Sequence, residues 1–110
     1  MSIVCLQVTI GRKEKEMRLR VEPQEKKNYT IVTIGDMYIC YSYETPIAMK
    51  YKNQIYIDEG SYDYSNTTGK HRKDFLREGL DDTRKKMKNG TYKVVDLEKF
   101  IESNFIIEEV

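Results

Sequence analysis

The sequence predicts an α+β domain: an antiparallel β-sheet meander of about five to seven strands, packed against one main helix after residue 65 and a short C-terminal helix. Three observations carry this prediction. Up to Asp58, short runs alternate apolar and polar residues with period two, as half-buried strands require. The connections between those runs are too short to be parallel crossovers. From Tyr64 onward the apolar residues recur at helical spacing instead.

The first strand places Val4, Leu6, Val8 and Ile10 on one face and Cys5, Gln7 and Thr9 on the other. After a polar turn from Gly11 to Glu16, Met17, Leu19 and Val21 alternate with Arg18 and Arg20, which completes a hairpin with a cationic outer face. Pro23 ends it, because proline donates nothing to a ladder. Tyr29 to Ile34 and Met37 to Tyr43 are rich in β-branched and aromatic residues, and Gly35-Asp36 supplies a two-residue turn between them. Ile47 to Lys52 and Ile55 to Asp58 repeat the pattern around Asn53-Gln54.

A helix is predicted from Asn66 to Glu78, capped by Ser65 or Thr67, with Thr68, His71, Phe75 and Leu76 on its inward stripe. Gly79 interrupts or ends it. Asp81 and Asp82, followed by Arg84, Lys85, Lys86 and Lys88, put acids at the start and bases at the end of a second short helix, the order that suits the helix dipole. Asn89-Gly90 is a stop signal, Thr91 to Val95 can add a strand, and Asp96 caps a helix carrying Leu97, Phe100 and Ile101.

At 110 residues the chain is expected to be a single domain, 1–110, around one core. Ordered apolar patterning separates it from disordered chains, although 34% of its residues are charged. Its apolar runs fall far short of the roughly 20 residues that cross a bilayer. No basic and apolar signal segment follows Met1. A cytoplasmic protein with no membrane partner is therefore expected. Cys5 and Cys40 stand apart, without Cys or His at zinc-site spacing, and read as buried free thiols. Neither a metal site nor a cofactor is predicted.

Net charge is +1, which argues against wholesale attraction to nucleic acid or membrane. Its sign is nevertheless segregated. Residues 65–95 carry nine bases and four acids, whereas the tail from Asp96 carries one base and five acids.

His71 is the only histidine, and three roles stand open for it: a satisfied buried ring, a ligand contact, or acid–base chemistry. Thr67-Thr68-Gly69-Lys70 resembles a fragment of a phosphate-binding loop, but the upstream glycine of the full nucleotide-binding pattern is missing and no Ser or Thr follows Lys70. Lys70, Arg72, Lys73 and Arg77, with the bases from Arg84 to Lys88, offer phosphate contacts beside the stacking rings Tyr62 and Tyr64. The candidate binding residues are Tyr64, Thr67, Thr68, Lys70, His71, Arg72, Lys73 and Arg77. No catalytic set is assigned.

Tyr41-Ser-Tyr-Glu-Thr-Pro-Ile-Ala48 and Tyr64-Ser-Asn-Thr-Thr-Gly-Lys-His71 together resemble a family of small uncharacterised domains common in phages, archaeal viruses and mobile elements. Its pattern is an SY-x-TP-[VI]-A strand followed by [WY]S-x-TT-x-KH, and the resemblance spans about residues 30–80. It implies a shared fold and a viral or mobile-element origin, and brings no activity, cofactor or catalytic residue.

The expected function is that of a viral or phage accessory protein that binds a host or viral protein, with a homodimer as one form. An alternative is nucleic-acid binding through the basic region 65–88. A further one is a metal-independent phosphodiesterase using His71 as acid or base.

Overall fold

Apolar residues on both faces of the central strands require cover on both sides, and the computed structural model supplies it. The structure describes residues 2–10 and 13–109, with side chains described from Leu19 to Asn104. The strands are β1 (Ser2–Ile10), β2 (Lys13–Pro23), β3 (Tyr29–Ile34), β4 (Met37–Ser42), β5 (Thr45–Tyr51), β6 (Gln54–Asp58), β7 (Lys93–Val95) and β8 (Phe105–Glu109). The helices are α1 (Asn66–Leu76), α2 (Leu80–Lys88) and α3 (Leu97–Asn104). The α+β fold is as predicted, and the strands form one sheet in the order β7-β6-β5-β4-β3-β2-β1-β8.

From β1 to β6 every pairing is antiparallel, the expected meander. Strand β7 joins β6 in parallel, with Ile57 opposite Val94, after the α1–α2 crossover. Helix α3 leads directly into β8, which pairs antiparallel with β1 and was not expected from the sequence. The first hairpin is also longer than expected, since residues 13–16 are strand and Ile10 faces Lys13. The inward side of Cys5 lies outside the described side chains.

One face buries Ile34, Met37, Ile39, Met49 and Tyr51 against Leu97 of α3, with Tyr56, Phe100 and Ile101 around them. The opposite face buries Tyr29, Cys40, Ile47, Ala48 and Ile57 against Phe75 and Leu76 of α1. Neighbouring residues of β4 therefore point into two different clusters, which is why the strand looks apolar throughout. Cys40 is a buried free thiol, as expected, and burial pushes its pKa up to about 12.

Three side chains hold the helices at the ends of the sheet. Lys50 Nζ donates to the Phe75 carbonyl at 2.7 Å, a cation at the carbonyl-rich end of α1. Asp58 accepts from the backbone N–H of Leu97 at 2.8 Å and of Ser61 at 2.9 Å, so β6, the following loop and α3 share one carboxylate. Glu78 accepts from Thr83, Lys86 and Tyr92, joining the α1–α2 connection to the approach to β7.

Helix α1 ends at Leu76, two residues before the predicted end. Arg77 adopts a left-handed backbone at φ 60° and its N–H donates to the Lys73 carbonyl at 2.8 Å. The start is Ser65, whose side chain accepts from the Thr68 N–H at 3.1 Å. Replacing Ser65 with alanine removes that cap, and urea unfolding should register a loss of about 1 kcal/mol.

Candidate functional site

The β4–β5 turn and the start of α1 are distant in sequence and meet in space. Tyr43 and Glu44 form the turn, closed by the pairing of Ser42 with Thr45. Tyr43 has φ 58°, and its N–H donates to the Asn28 carbonyl at 2.7 Å, so the 24–28 loop buttresses the turn. Just beyond it Tyr41 faces Pro46 whereas Cys40 faces Ala48, a register shift at Ile47. A β-bulge is one of the few places where a strand accepts proline, and it turns Ile47 and Ala48 toward the α1 face.

On that face Ser42 is buried, with its Oγ 3.0 Å from Thr68 Oγ1 and 2.8 Å from His71 Nδ1. Ser65 Oγ donates to Thr68 Oγ1 at 3.2 Å. His71 is 1% exposed and stacks on Tyr29, with ring centroids 5.0 Å apart and planes 19° off parallel. Ser65, Thr68, Ser42 and His71 thus form one continuous hydrogen-bonded relay that ties the start of α1 to the end of β4.

Burial holds the His71 pKa below its usual value, against the opposing pull of the Lys27 hydrogen bond, with Lys26 lowering it further and Asp74 raising it. The folded chain therefore binds a proton on His71 less readily than the unfolded chain. The stability that this provides is complete above the unfolded pKa near 6.5 and is lost as pH falls toward the folded value, by at most about 1.4 kcal/mol per pH unit. Urea midpoints at pH 7.5 and 5.5 should differ more in the wild type than in His71→Gln, which lacks this titration.

Beside the relay opens a cleft of about 340 Å³, lined by Ser42, Tyr43, Thr45 and Ile47 on one side and Ser61, Tyr64 and Thr68 on the other. Tyr43 is 53% and Tyr64 81% exposed, large rings left in water beside a concave surface.

Among the sequence candidates, Thr68 and Tyr64 line this cleft, and His71 is buried behind it against Ser42. Thr67 is half-buried, Lys70 and Lys73 are exposed on α1, and Arg77 is exposed at its C-terminal cap. Arg72 departs from expectation. It is 4% exposed rather than an exposed base, and its Nη1 donates to the Tyr62 carbonyl at 2.6 Å and to Asp63 at 3.1 Å. Gly69 is where this pair passes the helix: a Cβ there would meet Arg72 Nη2 at 3.5 Å and Asp63 Oδ1 at 3.6 Å. The Thr-Thr-Gly-Lys stretch thus packs a guanidinium and a carboxylate against its glycine. In the basic region 65–88, Arg72 and Arg84 pair with Asp63, and Lys86 pairs with Glu78.

A family model, described as a family of unknown function (DUF8033), matches residues 8–93. The chain belongs to that family. The DUF8033 match runs from within β1 to the first residue of β7, so it contains both segments that build the cleft and stops before α3 and β8. The expectation of a domain family of unknown function is met over a longer stretch than the motifs alone covered. No curated protein and no solved structure matches the chain.

Ser42, Tyr43, Thr45, Ile47, Ser61 and Ser65 belong to the site and were not among the sequence candidates. The Ser42 to Ala48 stretch was the available signal, since it sits in the DUF8033 span and carries a proline inside a strand. Among the described residues no group of His, Cys, Asp and Glu could hold a metal ion, and no helix is long and apolar enough to cross a membrane.

Proposed function

We propose that this chain is a non-enzymatic binding domain, of phage, viral or mobile-element origin, that holds a segment of a host or viral protein in the cleft between the β4–β5 turn and α1. One observation carries the reading. Two tyrosines, 53% and 81% exposed, flank a cleft whose polar floor is already satisfied by its own hydrogen bonds. Exposed aromatic rings around a pocket are the usual anchors of protein recognition, because tyrosine provides contact area at low entropic cost.

The burial of His71 under Tyr29 supports a structural rather than an acid–base role. Pairing of Arg72, Arg84 and Lys86 with carboxylates removes three bases from the pool available to phosphates, which favours a protein partner over nucleic acid.

Tyr64→Ala should reduce partner retention on immobilised chain by tenfold or more, the effect of losing an anchor worth about 2 kcal/mol. Tyr38→Ala is the control. Tyr38 is 45% exposed at the opposite end of β4, and its loss should leave retention unchanged. Equal losses from both variants would refute the cleft as the binding site.

A further inference from the structure

At the opposite end of β4 from the tyrosine cleft, the sheet carries a second concave surface with a different chemistry. The register places Arg20, Thr33, Tyr38, Lys50 and Ile55 side by side on β2 to β6, about 4.8 Å from strand to strand. Tyr38 and Lys50 share the α1 face with Cys40 and Ala48, two residues along the same strands. Within this row the Tyr38 ring is 45% exposed. Tyr38, Lys50, Lys52 and Asp36 line a depression of about 480 Å³, whose walls come entirely from the sheet and its two hairpin turns. That volume suits a small ligand, and the lining shares no residue with the tyrosine cleft.

The charge in this depression is uncompensated. Lys50 and Lys52 stand in the lining against Asp36, and neither lysine makes an ion pair among the described residues. Lys50 donates to the Phe75 carbonyl, which bears no full negative charge. Arg77 follows two residues later at the end of α1, and burial, then this guanidinium, hold the Lys50 ammonium below its usual pKa. A bound anion relieves that repulsion.

We infer that this depression binds a nucleoside monophosphate, its base stacked on Tyr38 and its phosphate held by Lys50 and Lys52. An exposed aromatic face stacks a nucleobase of any kind, and an ammonium group holds phosphate as a point charge. Two bases against one acid suit a single phosphate, while Asp36 is an acceptor for sugar hydroxyls and repels a second phosphate. The next base along the row, Arg20, is already paired with Glu22 at 3.6 Å, so a longer strand gains no further unpaired base there. A free nucleotide is therefore the occupant. The assignment is independent of the protein partner proposed for the tyrosine cleft.

Titration with adenosine monophosphate, followed by amide chemical shifts of the isotope-labelled full chain, tests it. Adenosine, inorganic phosphate and an oligoadenylate are the comparison probes. Adenosine monophosphate should bind at least tenfold tighter than adenosine or inorganic phosphate, with the largest shifts in residues 36–38 and 50–55. Tyr38→Ala and Lys52→Ala should each weaken it by about tenfold, whereas Tyr38→Phe, which keeps the ring, should retain it. Both positions are exposed, and urea midpoints equal to the wild type confirm that the variants stay folded.

Tyr64→Ala should leave nucleotide affinity unchanged, so failure at this depression does not touch the cleft, nor failure of the cleft this depression. No binding of adenosine monophosphate at millimolar concentration, unchanged affinity in Tyr38→Ala, or tighter binding of the oligoadenylate overturns the inference.

Discussion

Replacing Arg72 with methionine is expected to lower the unfolding free energy by about 2–4 kcal/mol, because breaking a buried ion pair strands the partner that is left behind. The guanidinium is almost wholly enclosed, with its side chain 5% exposed, and it supports two neighbours at once. Its removal leaves the Tyr62 carbonyl without its 2.6 Å donor and Asp63 with only the exposed Arg84 at 3.3 Å. The lower half of that range reflects Asp63, whose side chain is 32% exposed and can recover water. Asp63→Asn in the Arg72→Met background should cost less than it does alone, a coupling that a double-mutant cycle in urea reads directly. Because the same pair fixes the loop leading to Tyr64, ligand binding should fall with stability.

The second large effect is expected at His71. His71→Ala removes a ring stacked on Tyr29 and leaves the Ser42 hydroxyl without its His71 partner, a combined loss of about 3–4 kcal/mol. Ser42→Ala should cost about 1–3 kcal/mol, since His71 Nδ1 is then buried and unpaired. The double variant should lose less than the two single losses together. Additive losses would mean that the 2.8 Å contact contributes nothing, and the relay would then be a coincidence of packing.

The elements whose physics is local were legible in the sequence. Alternation located β3 through β6, and Gly35, which takes φ 61°, marked the turn between Ile34 and Met37. The Ser65 cap and the acid-to-base order of α2 were readable for the same reason. What escaped depends on tertiary context. Tyr43, Lys52 and Asn53 all adopt positive φ at hairpin turns, and neither tyrosine nor lysine advertises that conformation. The turn between β5 and β6 accordingly falls at Lys52-Asn53, one residue earlier than the Asn53-Gln54 expected.

The site was half legible. Thr68, His71 and Phe75 were placed on the inward stripe of α1, where they lie. The partner of the first two, Ser42, is 26 and 29 residues away, and nothing in a strand sequence reports what will be opposite it on a helix. Arg72 was misplaced because a charged residue in a basic run is ordinarily solvated, whereas Asp63, nine residues upstream, neutralises it inside the fold. Strand β8 was missed because it follows α3 without an intervening loop, so no turn signal marks where it begins.

Site-specific photocrosslinking tests the central claim, that a protein partner is held at the tyrosine-rimmed cleft. A photoreactive phenylalanine in place of Tyr64 should form one discrete adduct with a single protein, and excess unlabelled wild-type chain should compete it away. The same residue in place of Tyr38 should form none. Adducts of equal yield from both positions, or from Tyr38 alone, would contradict the account.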